Sequence, residues 1–482
     1  MTPRTALVWS FAERYASFVI TFASTVLLAR LLTPTQVGVF SMCMALMAVL
    51  GIVRDFGVSE YIIQEKELTR ERLAVAFGVA LVVAWPLAAG VFAARHVVAG
   101  FFAEPMVATI LGVLCIQLAL LPISSPVFAL LNRQLDFRRI FVLQLSCNAA
   151  QAAITLLLAW QGYGSLALAW GPVVNIGVQT LLLVMWPVTR AHFVWPRLLG
   201  ARRVLSFGVP YASSRGLETL SRNIHEPVIA RAFDFASVGL FSRAWGMVEM
   251  FHSNVADAVV RVATPVFAKA HRDQQDLGIA LARAVSLYVA LAWPFFAFVA
   301  IAAPELVRVL FGPQWTAAAP LASVLALAAI PAALYELVPQ LLSATGHVYR
   351  RLRITIWVVP VHIAAILVAS RYSLLAVAAV SSLTSLWTLV LAVHQLKAAV
   401  GVGWRRIVVA AAPAAAMAAG AAVAMGLAAQ ALRQTGAPAW AVAIATLAAG
   451  TGAWWLCAWM LRHPAHSEAT ALMARAWRRW ST

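Results

Sequence analysis

Arg215, Glu218 and Arg222, with His225 and Glu226 behind them, stand in the stretch SRGLETLSRNIHE (214–226). On an α-helix their spacing places all five within an arc of roughly 100°, with Leu217, Leu220 and Ile224 on the opposite face. Two chemistries suit such a stripe. Guanidinium groups bind phosphate through paired N–H donors, and a carboxylate between two arginines can carry a proton. A structural alternative uses the same side chains, with Arg215, Glu218 and Arg222 as an ion-pair ladder that pins two parts of the protein together.

The elements that must position these charges are strongly apolar. Of 482 residues, 62% are hydrophobic and 11% charged, with a mean hydropathy of +0.84, whereas a soluble domain is about a quarter charged. Apolar runs of about 20 residues, each enough to cross a hydrocarbon core, recur from end to end. The chain therefore reads as an all-α, polytopic membrane protein of about fourteen transmembrane helices. They are expected near 8–29, 37–53, 73–93, 106–130, 140–160, 165–186, 207–230, 238–262, 280–302, 318–342, 353–369, 373–395, 407–429 and 439–461.

The formal charge of +18 does not point to nucleic acid, because the cations sit in short loops between spans. Connectors after even-numbered spans hold Arg70, Arg72, Arg138, Arg139, Arg202, Arg203, Arg350, Arg351, Arg405 and Arg406, among others. The other side has only Arg30, Arg95, Arg231, Arg308, Arg371 and Arg433. This bias puts both termini in the cytoplasm, and removing the seventh span alone would put every later loop on the wrong side. The first span, with Glu13 and Arg14 inside it, is expected to be retained rather than cleaved. Cys43, Cys115, Cys147 and Cys457 fall in apolar segments without metal-ligand spacing, so they read as packing residues and neither a disulfide framework nor a metal site is indicated.

An internal repeat explains the seventh span. LARLLTPTQVGVFS (28–41) lies on IARAFDFASVGLFS (229–242) without a gap, matching Val37, Gly38, Phe40 and Ser41 to Val238, Gly239, Phe241 and Ser242. The same shift puts Arg14 on Arg215. A unit with an even number of spans gives two parallel halves. The eighth span adds Arg243, Asn254, Asp257 and Arg261 near one helical face. An intramembrane Arg or Asp costs about 2.5 to 3.5 kcal/mol on insertion scales, so these faces must avoid lipid. Arg14, Arg215, Arg222, Arg243 and Arg261 outnumber Glu218 and Asp257, an excess that an anionic ligand would neutralise. Glu218 and Asp257 are the candidate ion-coupling residues.

Six stretches in order, LLARLLTPTQVGVFS, DFGVSEYIIQ (55–64), LNRQLDFRRI (131–140), SFGVP (206–210), VGLFSRA (238–244) and LFGPQW (310–315), resemble the Wzx-type flippases. These form the polysaccharide-export branch of the multidrug, oligosaccharidyl-lipid and polysaccharide exporter superfamily. The resemblance implies two six-helix lobes around a central cavity for a polyprenyl-pyrophosphate-linked oligosaccharide. Arg14, Arg54, Arg215, Arg222 and Arg243 would hold the pyrophosphate, and Arg261 joins the candidate set through its place in the eighth span. The expected organisation is an N-lobe at 1–190, a connector at 191–206, a C-lobe at 207–396, an extra helix pair at 397–461 and a basic tail at 462–482.

The function so implied is a non-enzymatic flippase of the bacterial inner membrane serving surface polysaccharide assembly. An ion-coupled small-molecule exporter of the same superfamily is the alternative. The partners are the lipid-linked oligosaccharide, membrane lipids and other polysaccharide assembly proteins, with no nucleic acid and no cofactor. No nucleotide-binding phosphate loop or catalytic constellation is visible, so any driving force comes from an ion gradient or the substrate's own gradient. The tail segment SEATALMARAWRRW (467–480) reads either as an interfacial helix at the inner membrane surface or as a disordered basic tail.

Overall fold

A computed structural model describes residues 3–55, 57–202, 204, 216–468 and 470, without the side chains of 3–8, 10 and 11. Among the described residues the chain is helical with no strand, as the apolar runs require. It divides into two compact units, Met1–Gly239 and Leu240–Thr482. Among the described residues twelve stretches are long and apolar enough to cross a membrane, and they occupy the places expected of spans one to six and nine to fourteen. The seventh and eighth positions hold, among the described residues, shorter helices.

In the first unit α1 is Pro3–Leu31 and α2 is Pro34–Asp55, followed by the short α3, Val58–Gln64. The longer α4 (Arg70–Phe102) and α5 (Pro105–Arg133) pack on each other, as do α6 (Phe137–Trp160) and α7 (Ser165–Met185). Helix α8 is the single turn Pro187–Arg190. Helix α9 covers residues 216–223 and α10 is His225–Ala232. Helix α11, Phe235–Phe251, starts in this unit and continues into the second.

In the second unit a π-helical turn, His252–Ala256, joins α11 to α12 (Asp257–Arg272). Then come α13 (Leu277–Leu310), α14 (Ala319–Tyr335), α15 (Val338–Ala344), α16 (Val348–Ala369), α17 (Leu374–Val400), α18 (Trp404–Gln434) and α19 (Ala439–Met460). The last two pack on each other and on α13. Arg433 secures them, donating from Nε and Nη2 to the two carboxylate oxygens of Glu305 at 2.7 Å each, and from Nη2 to the Ile301 carbonyl at 2.9 Å.

Among the described residues, the motifs that carry the resemblance build scaffold, while SFGVP (206–210) lies outside them. Gly57, at φ 68°, opens α3, which buries Val58, Tyr61 and Ile62. The carbonyls at the other end of α3 have no helical partner. Arg133 of LNRQLDFRRI supplies one, donating to Ile62 O at 2.8 Å and Ile63 O at 3.2 Å. Asp136 caps α6 by accepting from the Arg139 amide at 3.3 Å. In LFGPQW, Gly312 takes φ 103°, a region other residues avoid, and turns Trp315 into full burial.

The repeat-related glycines share one contact. A Cβ on Gly38 would lie 1.7 Å from the Phe235 carbonyl oxygen, and a Cβ on Gly239 would lie 2.0 Å from that of Pro34. The starts of α2 and α11 thus touch backbone to backbone, which only glycine permits. Phe40 and Phe241 continue the matched pattern, and Phe241 is fully buried.

Candidate functional site

In the first unit a cavity of about 440 Å³ opens between α2, α5 and α9. Met44, Met47, Ile52, Leu114 and Leu118 make its apolar walls, while Arg54, Asp55, Gln117 and Thr219 contribute polar groups. Asp55 also accepts from Ser59 Oγ at 2.9 Å. A guanidinium, a carboxamide and a hydroxyl beside an apolar wall can hold an anionic head with an apolar attachment, because the forked donor meets the anion while the wall accepts the hydrocarbon. Glu218 and Arg222 flank Thr219 on α9, the first half-buried and the second exposed. Arg14 lies half-buried on α1, and Arg215 lies outside the described residues.

The continuous stripe expected over 214–226 is corrected by the structure. Helix α9 stops at Asn223 and α10 begins at His225. Pro227 is the cause: it has no N–H for the Asn223 carbonyl four residues back, and its ring crowds that carbonyl. His225, just beyond the break, lies in the core at 2% exposed.

One polar assembly escaped the sequence reading. Ser17 on α1 donates to Glu13 Oε1 at 3.2 Å and accepts from Asn148 Nδ2 of α6 at 3.0 Å. Asn175 of α7 donates to Asn148 at 3.3 Å and to Gln151 at 2.9 Å. Four amide and hydroxyl side chains and one acid thus run across three apolar helices. The available signal was Asn148, Gln151 and Thr155 at i, i+3 and i+7, a polar seam in a span that would otherwise face lipid.

In the second unit the eighth-span residues separate. The π turn adds one residue to the helical path, which rotates everything beyond it by roughly 100° relative to a regular helix. Arg243 lies before the turn, with its guanidinium 5.4 Å from the Trp315 ring centre and 5.8 Å from that of Phe311. Asp257 and Arg261 lie after it and are exposed. The single face expected for Arg243, Asp257 and Arg261 is therefore corrected. His252 meets Glu336 instead, at 3.3 Å.

The family model described as "Polysaccharide biosynthesis protein" matches residues 27–320. The succinoglycan biosynthesis transport protein ExoT of Rhizobium meliloti (strain 1021) is 26% identical over 326 residues, covering 66% of this chain and 64% of that protein. The lipopolysaccharide biosynthesis protein WzxC of Escherichia coli (strain K12) is 22% identical over 302 residues, covering 62% of this chain and 61% of that one. The matched stretches thus span less than two thirds of either relative. Among solved structures, the lipid II flippase MurJ in an inward closed conformation superposes with a TM-score of 0.75 at 10% identity, over 95% of this chain and 99% of that one. An inward-facing multidrug resistance MATE family transporter of the MOP superfamily gives 0.59 at 14% identity, over 82% and 98%. The fold is the one these transporters share.

Proposed function

We propose, because this chain belongs to the polysaccharide biosynthesis protein family, that it is a flippase moving a polyprenyl-pyrophosphate-linked oligosaccharide across the bacterial inner membrane for surface polysaccharide assembly. It works without catalysis, by exposing its binding site alternately to the two sides of the membrane, with both termini cytoplasmic. The lobes at 1–190 and 207–396, the pair at 397–461 and the tail at 462–482 belong to the same reading. So do the partners, which are the lipid-linked oligosaccharide, membrane lipids and other assembly proteins.

The observation that carries this reading is the cavity in which Arg54, Asp55, Gln117 and Thr219 share a space with a wall of methionine, leucine and isoleucine. A pyrophosphate with an attached polyprenyl chain has that division of character, and Arg rather than Lys suits it because a fork binds two oxygens. Arg14, Arg54, Arg215, Arg222, Arg243 and Arg261 are the proposed anion contacts, and Glu218 and Asp257 the proposed coupling acids. The resemblance to a multidrug transporter favours a second reading, an ion-coupled small-molecule exporter. The nature of the cargo separates the two.

Deleting the gene should abolish surface polysaccharide and leave drug sensitivity unchanged; the reverse result selects the exporter. Within the complemented strain, Arg222→Ala should abolish polysaccharide export at near-normal abundance, and Arg222→Lys should restore it in part. If Arg222 only pairs with Glu218, the alanine variant loses abundance and Glu218→Gln repairs both abundance and export. That repair rules out the pyrophosphate role of Arg222.

A further inference from the structure

Two helices of the second unit lose regularity at one place. Helix α11 passes into α12 through the π turn His252–Ala256. Helix α14 stops at Tyr335, and the chain resumes as α15 at Val338 after Glu336 and Leu337. The second break has a local cause, since Pro339 offers no N–H to the Tyr335 carbonyl. The first has none in its own sequence, which contains neither proline nor glycine; π turns of this kind concentrate at functional positions.

One ion pair joins the two interruptions. His252 Nε2 lies 3.3 Å from Glu336 Oε1, with the side chains 27% and 17% exposed. The backbone beside His252 is held by Phe251, whose ring packs 6.0 Å from Tyr288, 5.0 Å from Phe295 and 5.1 Å from Phe296. Helix α12 packs against both α13 and α15. Helix α15 also packs on α16, which carries Arg350, Arg351, Arg353 and His362, and on α17, which carries His394 and Lys397. From α13 comes Tyr288, which feels Glu336, Tyr335 and Asp257 electrostatically. Tyr335 precedes Glu336, and Glu249 and Asp257 lie within about a turn and a half of His252 on its own helix.

We propose that His252 and Glu336 form a proton-binding site, and that the proton it holds contributes to the coupling of transport alongside Glu218 and Asp257; this second clause rests on the transporter reading above. With the proton bound, imidazolium and carboxylate sum to zero charge. When the proton leaves for water, a neutral imidazole remains beside a carboxylate, and the pair carries one negative charge. An unpaired carboxylate inside a membrane protein is far more costly than a paired one. Loss of the proton therefore favours separation of the two helices at their interrupted points, where no regular hydrogen-bond ladder has to break. Histidine suits the role because its charge changes between about pH 5 and 8.

The test is hydrogen–deuterium exchange on the purified full chain at pH 6 and pH 8, corrected for intrinsic rates. Segments 248–258 and 333–341 should exchange roughly tenfold faster at pH 8 in the wild type, since local opening frees their amides. His252→Gln and Glu336→Gln should show no pH response, and His252→Lys, which keeps a cation at both pH values, should hold the slow rate at pH 8. If the single glutamine variants do not purify, the double variant with both charges removed stands in for them, with the same expectation. A wild type without the pH response, or a His252→Gln or double variant that retains it, overturns the proton site. In the complemented deletion strain His252→Lys should lose polysaccharide export at normal abundance, and full export by that variant overturns coupling. Failure of the flippase reading has a separate signature: the deletion leaves polysaccharide intact while the exchange response of the purified protein persists.

Discussion

The two copies of the repeat begin alike and then diverge. Gly38 and Gly239 open α2 and α11 with the same backbone-to-backbone approach, yet α2 runs unbroken to Asp55 while α11 meets a π turn at His252. Similarly α1 is continuous from Pro3 to Leu31, whereas its counterpart is cut between α9 and α10. The second copy also carries the denser charge: Arg215, Glu218 and Arg222 stand where the first has Arg14, Ser17 and Thr21. Interrupted backbone and ionised side chains have the same physical need, which is polar surroundings within an apolar medium. That shared need explains why they occur together.

The shared contact should be the most sensitive point. Gly38→Ala and Gly239→Ala each drive a methyl into a backbone carbonyl that cannot move aside, so each should cost about 3 kcal/mol or more and remove most protein from the membrane fraction. Gly216→Ala is the control, because nothing lies within 4 Å of a Cβ there. Immunodetection and thermal stability of the three variants check this. Wild-type levels of Gly38→Ala would remove the common starting point from the comparison.

A smaller effect separates the copies at the π turn. Deleting Ser253 removes the extra residue and should return α11–α12 to a regular helix, at a cost of about 1 to 2 kcal/mol from shifted packing, with protein still made and export lost. The matching deletion of Ile52 acts on a helix with no residue to spare. It rotates Arg54 and Asp55 away from the cavity and should lower both abundance and export. Equal abundance of the two deletion proteins would show that the π turn is no more adaptable than a regular helix.

The apolar runs, the parallel repeat and the polar character of the seventh and eighth spans were legible because they depend on composition and period. Less legible was anything set by a single backbone event. Pro227 is visible in the sequence, but the stripe from Arg215 to Glu226 suggests a continuous helix unless the carbonyl of Asn223 is counted. The π turn leaves no local mark at all, so the phase of Asp257 and Arg261 relative to Arg243 was unreadable. Pairings across helices distant in the chain were equally hidden: Arg433 reads as a loop charge until Glu305 stands 2.7 Å away, and Glu13 reads as an isolated acid until Ser17 and Asn148 line up beside it. The motifs behind the family resemblance proved legible as family marks, although Arg133, Gly312 and Trp315 serve the scaffold.

The smallest effect in stability, and the most informative for function, should come from Pro227→Ala. Alanine restores an N–H opposite the Asn223 carbonyl, and on propensity alone it favours a helix by about 3 kcal/mol. Against this, joining α9 to α10 swings His225 out of a site where it is 2% exposed and shifts Thr219 at the cavity wall. These opposing changes should leave the net stability within about 1 kcal/mol of wild type and abundance unaltered. Export should fall all the same, because the second copy would then share the continuity of α1 and lose the break between α9 and α10. Thermal unfolding and polysaccharide export measured on the same preparation decide it. A Pro227→Ala protein that is more stable and exports normally would mean that the break only accommodates proline, and that the difference between the copies at this helix carries no function.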